Sequence, residues 1–164
     1  MIRINRLYLV LFVLSLLIGI YVYNKYRVAP GIVFPQLQLS SLDGTNVSFE
    51  SYRGKKLLVC MGASWCGNCR VELKDLMKIK DEYLPDVEIL VISDEPLPVI
   101  KQFKDSKSYP FTFLHLNTSF ESIGVHSIPT SYILNKDLEV KKKTVGYLNW
   151  TDPSTAKHLY TLMD

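Results

Sequence analysis

The sequence predicts an α/β domain built on a mixed central β-sheet flanked by helices, entered through an N-terminal β-hairpin and preceded by an N-terminal transmembrane helix. Three observations carry that prediction. A 17-residue uncharged run, Leu7 to Tyr23, opens the chain. Short apolar runs then alternate with amphipathic stretches, which implies parallel strands joined by helical crossovers. Near the end two strand-like segments follow each other directly, which adds antiparallel strands. The chain has 164 residues, enough for one domain and too few for two ordinary ones. A hydrophobic fraction of 48% against 21% charged residues excludes a disordered chain.

The run LYLVLFVLSLLIGIYVY sits at the lower end of the roughly 17–25 residues that span a hydrocarbon core. Tyr8, Tyr21, Tyr23 and Tyr26 lie near its ends, where amphipathic rings favour the interface. A buried core helix of a small domain would keep one polar face, and this run keeps none. The run is longer than a typical signal-peptide core, and Val28-Ala29, flanked by Arg27 and Pro30, makes a poor cleavage site. Residues 1–26 are therefore read as an uncleaved single-pass membrane anchor, 27–33 as a linker, and 34–164 as the folded domain. Arg3 and Arg6 before the run, and a short leading tail, favour the domain lying outside the cytoplasm, on the extracytoplasmic side of a cell envelope. Those two arginines also explain most of the net charge of +3. Without them 17 basic residues face 16 acidic ones, so no nucleic-acid footprint is expected.

Within the domain, Gln36–Ser40 and Asn46–Phe49 flank Asp43-Gly44, a hairpin signal. Lys56–Gly62 reads as a buried strand. Arg70–Leu84 is helical, with Leu73, Leu76, Met77 and Tyr83 inward and Glu72, Lys74, Asp75 and Lys78 toward water. Val87–Ile92 is a second buried strand, and Leu97–Lys107 a second helix. Phe111–His115 fits an extended edge segment, and Thr118 to Gly124 a brief helical turn. Thr130–Leu134 and Glu139–Val145 form a closing hairpin before a final helix at Asp152-Pro153. Helices are expected on both faces of the sheet.

The chemical signal is Trp65-Cys66-Gly67-Asn68-Cys69, between a buried strand and a helix. A thiol at a helix start faces unpaired backbone N–H groups and the positive end of the helix dipole, which favour thiolate. Cys66 should remain accessible and attack a partner disulfide, and Cys69, one turn in, should resolve the mixed disulfide. Gly67 permits close approach over the pair. Two other readings stand beside this one. Half of a zinc knuckle would need further ligands, yet His115, His126 and His158 are dispersed. A structural disulfide so short would gain little loop-closure entropy. No cofactor and no metal is expected.

LLVCMGASWCGNCRVEL (57–73), GVHSIPTSYILNKDLEVKKKTVGYL (124–148) and the leading LSSLDGTNVSFESYRGKKLLV together resemble the thioredoxin superfamily, in its membrane-anchored TlpA/ResA-like branch. The resemblance implies a thioredoxin-like fold with Cys66 as nucleophile and Cys69 as resolving thiol. It implies that Pro129 is a cis-proline beside them, that Ile128 and Thr130 engage a bound peptide as an added strand, and that Trp65 borders the site. It implies a membrane-tethered thiol–disulfide oxidoreductase that reduces protein disulfides, with cytochrome c maturation as one setting. Protein thiols and disulfides would be its partners and a membrane electron donor a further candidate. Asn68 stands where the family often has proline. Cys60 stands where thioredoxin has a buried aspartate, so water or another group must move the proton at Cys69. Cys60 itself reads as a small core residue. Leu138 replaces the glycine of the late hairpin turn. His126 reads as a surface loop histidine, and Asp94-Glu95 as helix-capping residues or part of a site. A thiol peroxidase on the same fold would want threonine at Ala63, and a copper-delivery module would want three residues between the cysteines.

Overall fold

Hydrophobic continuity at the start of the chain gives helix α1, Arg6–Arg27, in a computed structural model that describes residues 6–164. Arg3 lies outside the described residues. With 22 residues, α1 is about 33 Å long at 1.5 Å per residue. It buries none of its residues and is long and apolar enough to cross a membrane. The stretch from 27 to 33 is packed rather than free: Ala29 is buried, and the Pro30 carbonyl accepts a hydrogen bond from the Tyr132 hydroxyl at 3.1 Å.

The expected hairpin forms with shorter arms, β1 (Leu39–Ser40) and β2 (Asn46–Val47), closed around Gly44 at φ +88°. Five apolar residues after Lys56 make β3 (Lys56–Met61) a strand buried at all six positions. It is followed by α2 (Gly67–Tyr83), β4 (Val87–Ser93), α3 (Leu97–Lys107) and β5 (Thr112–Leu116). The closing hairpin is β6 (Thr130–Leu134) and β7 (Val140–Val145). Helix α4 (Pro153–Thr161) ends the fold, its N-cap Asp152 accepting the Ser154 N–H as expected of aspartate there.

The seven strands lie in the order β2-β1-β5-β4-β3-β6-β7. β3, β4 and β5 are parallel neighbours, and the hairpins add antiparallel strands at both sides. The segment expected at the sheet edge, Phe111–His115, is therefore interior: β1 covers the edge of β5 through Leu39↔Leu116 and Ser40↔His115.

Alternation along β3 divides the core. Leu58 and Cys60 face one layer; Leu57, Val59 and Met61 face the other. The α-helices do not cover both layers. Buried residues of α2, α3 and α4 (Leu73, Leu76, Ile100, Leu159) all join the first. Right-handed crossovers that step the same way from β3 to β4 to β5 must leave both helices on one face. The second layer is covered by 3-10 turns and loops carrying Phe34, Phe49, Phe120 and Val125.

Two side-chain expectations on α2 are also corrected. Glu72 and Asp75 are buried, whereas Met77 is exposed and Ile79 takes the inward place. The two carboxyls are carried inside by specific partners: Trp150 and Ser131 for Glu72, Tyr147 and Lys78 for Asp75. The late hairpin turn survives without glycine. Leu138 takes φ +64°, while Asn135 Oδ1 accepts the N–H groups of Asp137 and Glu139 and fixes the loop.

Candidate active site

Strand β3 ends at Met61 and the chain turns through Gly62-Ala63-Ser64 into α2, so the two cysteines fall at the helix start. Cys66 is the N-cap of α2 and its Sγ accepts the Cys69 N–H at 3.2 Å. That bond is the local form of the helix-start electrostatics, since the same N–H would face a Cys66 thiolate. Cys66 and Cys69 form a disulfide. Cys66 is less accessible than its place at the helix start implied. It is 6% exposed and Cys69 4%, because Ala63 and Ile128 pack over the pair. The exposed neighbours are Trp65, at 71%, with Gly67 and Asn68.

The opposite wall comes from the chain entering β6. The Ile128-Pro129 peptide is cis and Pro129 is buried. Thr130 is buried too, its Oγ1 donating to the Ser127 carbonyl at 2.6 Å, so its side chain shapes the loop from within. Among the described residues nothing hydrogen-bonds to the backbone of Ile128. His126 is half-buried, its ring edge-on to Tyr26 at 6.2 Å. Among the described residues no three His, Cys, Asp or Glu side chains gather to hold a metal ion.

The residue that sequence reasoning missed is Glu72. Three positions after Cys69, it shares that cysteine's inward face, which is the signal that could have found it. Its Oε1 accepts from Trp150 Nε1 at 2.9 Å and from Ser131 Oγ at 3.1 Å. Burial pushes its carboxyl up to about 7, partly offset by those two hydrogen bonds. A small, partly enclosed cavity of about 10 Å³, room for one water at most, is lined by Cys69, Glu72, Cys60, Gly62 and Pro129 among others. A buried carboxyl raised toward neutrality thus shares a cavity with Cys69.

Cys60 is a free, buried thiol, as its place in the strand implied. Burial first, and the nearby Glu72 second, push its thiol well above the usual range, so it is a poor thiolate. Asp94 and Glu95 cap no helix, since Pro96 takes the N-cap position of α3 without a side-chain bond. Glu95 instead accepts from Ser64 N at 2.6 Å and Ser64 Oγ at 2.7 Å, pinning the approach to Cys66. Asp94 accepts from Phe120 N at 2.8 Å and holds the turn that leads to His126.

Compared with known proteins, residues 30–143 match the model of the AhpC/TSA family. A thiol-disulfide oxidoreductase named ResA from Geobacillus thermodenitrificans is 27% identical over 133 residues, covering 79% of this chain and 76% of the relative. The fold resembles StoA from Bacillus subtilis, with a TM-score of 0.59, 20% identity, and 79% and 98% of the two chains covered. It also resembles a putative thiol:disulfide interchange protein DsbE from Chlorobium tepidum, with a TM-score of 0.64, 20% identity, and 82% and 94% covered.

Proposed function

We propose, for a chain that belongs to the AhpC/TSA family, a membrane-tethered thiol–disulfide oxidoreductase that reduces protein disulfides outside the cytoplasm through Cys66 and Cys69. The observation that carries this reading is the Cys66–Cys69 disulfide at the start of α2, facing a cis-proline and sharing a cavity with a buried carboxyl. The relatives named for disulfide exchange support it, and α1 supplies the tether.

In the dithiol form, the Cys66 thiolate attacks one sulfur of the substrate disulfide. A Cys66–substrate bond forms, and the second substrate sulfur leaves as thiolate and takes a proton. Cys69 then gives its proton to the Glu72 carboxylate and attacks Cys66 Sγ. The Cys66–Cys69 bond forms and the first substrate sulfur leaves, to be protonated in turn. Two electrons and two protons pass to the substrate, and the disulfide seen here is the oxidised end of that cycle. Glu72 is the other group that the missing aspartate at Cys60 called for. The unpaired backbone of Ile128 supports the reading that a substrate strand adds there. Return to the dithiol requires an external two-electron donor.

The test is reduction of a disulfide-bonded protein with dithiothreitol as recycling reductant. The wild type accelerates it and Cys66→Ser does not; equal rates would remove the proposal. The family's name also favours a second reading, peroxide reduction. Ala63, three residues before Cys66, stands where that chemistry wants threonine. Thiol-dependent peroxide consumption by the wild type, lost in Cys66→Ser, would revive it.

A further inference from the structure

We propose that the groove between α2 and the C-terminal end of α3 binds an acidic segment of the protein whose disulfide is exchanged at Cys66, so that substrates carrying carboxylates beside their cystine are preferred. The inference rests on the tethered-oxidoreductase reading and names its substrate class.

The groove holds about 710 Å³ and begins at Gly67, the residue after Cys66. Along α2 it is lined by Arg70, Val71, Lys74 and Met77, all exposed. Three- and four-residue spacing puts these side chains in one stripe on the helix. From Gly67 to Met77 the stripe is about 15 Å long at 1.5 Å per residue. Lys107, the last residue of α3, stands on the other wall, and the buried Tyr109 completes the lining.

Cations line this groove and no carboxylate does. Among the described residues Arg70, Lys74 and Lys107 make no ion pair and no side-chain hydrogen bond. Elsewhere on the domain Arg53, Lys55, Lys56, Lys78 and Lys141 each meet a carboxylate. Asp75, next to Lys74 in sequence, is already taken by Lys78 and Tyr147. Like charges around one concavity repel one another and focus their field there, so an anionic occupant relieves the repulsion. The apolar part of the lining decides which kind of anion fits. Val71 is 50% exposed and Met77 39%. A small inorganic anion covers neither, whereas a peptide lays apolar side chains on both and sets its carboxylates beside the cations.

Position links the groove to the exchange step. A substrate joined to Cys66 has its next residues beside Gly67. About five residues of extended chain then cover about 16 Å, the length of the stripe. The groove touches neither sulfur, so it acts on encounter and affinity rather than on the exchange itself.

The test uses the reduced full chain in phosphatidylcholine vesicles and peptides that share one cystine loop, followed by Asp/Glu, Asn/Gln or Lys residues. At low salt kcat/KM for the acidic peptide should exceed that for the neutral one about tenfold, through KM. The ratio should fall toward unity near 1 M salt, where the Debye length is about 3 Å. Lys74→Glu combined with Lys107→Glu should transfer the preference to the lysine peptide and leave the neutral peptide unchanged. The contact is then located with the groove intact. Cys69→Ser joined to the acidic peptide through Cys66 should shield Lys74 and Lys107, but not Lys143, from acetylation read by mass spectrometry. Equal kcat/KM for the acidic and neutral peptides, or no shielding, would overturn this inference while leaving the oxidoreductase reading intact. Shielding of Lys74 and Lys107 by phosphatidylglycerol vesicles, or by self-association without peptide, would give the groove to lipid or to a second copy and overturn it as well. Failure of every peptide to be reduced overturns it together with the exchange reaction.

Discussion

Replacing Glu72 by glutamine separates its proton chemistry from its packing. Glutamine keeps a carbonyl oxygen to accept from Trp150 Nε1 and Ser131 Oγ, the two bonds that Glu72 Oε1 receives. What it loses is titration. The Glu72 carboxyl, with an ordinary value of 4.5, is pushed up to about 7, foremost by burial. Between those values the unfolded chain releases its proton and the folded chain keeps it. The stabilisation is fully present below pH 4.5 and is lost as pH rises through 7. At about 1.4 kcal/mol per pH unit, the span corresponds to about 3 kcal/mol. Denaturant unfolding of the oxidised protein from pH 4.5 to 8 should show that fall in wild type and not in Glu72→Gln. The hydrogen-bonded carboxyls of Asp43, Asp75 and Asp152, held below their usual range, lose stabilisation only at lower pH and stay outside this window. In exchange kinetics the variant should form the Cys66 mixed disulfide at the wild-type rate and resolve it on the order of 10²-fold more slowly. The same pH slope in both proteins, or unchanged resolution, would refute the assignment of Glu72 as proton acceptor.

Three further outcomes follow from packing. A Cβ on Gly62 would lie 3.1 Å from Cys69 Sγ, so Gly62→Ala should cost about 1–2 kcal/mol of stability in urea titration; an unchanged midpoint contradicts the close approach. Leu138 has positive φ and also covers the core, so Leu138→Gly loses packing but relieves about 1–2 kcal/mol of backbone strain, whereas Leu138→Ala loses packing and keeps the strain. Glycine should therefore be the more stable of the two variants by thermal melting, and alanine being equal or better would refute the strain. The buried Lys56 ammonium donates to Asp164 at 2.6 Å and lies 4.0 Å over the Tyr160 ring, so Lys56→Met should loosen α4 and lower stability by about 1–3 kcal/mol. Faster amide exchange confined to α4 would locate the effect, and unaltered exchange there would contradict it.

The redox pair was legible because its signal is local: two cysteines at fixed spacing, between a strand-length apolar run and an amphipathic stretch. The strands were partly legible, since β3 and β4 are mostly apolar and β6 carries the short run Tyr132-Ile133-Leu134. The place of β5 was not, because only its pairing with β1, more than 70 residues earlier, turns it from an edge into an interior strand. Glu72 was hidden for the same kind of reason. On its own helix a charged residue reads as solvent-facing, and only the Trp150 and Ser131 donors, 78 and 59 residues away, make burial tolerable. The packing of residues 27–33 was equally invisible, since Pro30 and Gly31 read as breakers and the Tyr132 and Ser127 hydroxyls that fasten the strap lie about 100 residues later.

The division of labour between Cys66 and Cys69 is tested most directly by trapping. Cys69→Ser, reduced and mixed with a disulfide-bonded protein, should accumulate a mixed disulfide mapped by mass spectrometry to Cys66. Cys66→Ser should accumulate none. A mixed disulfide mapped to Cys60, or equal trapping by both variants, would contradict the account.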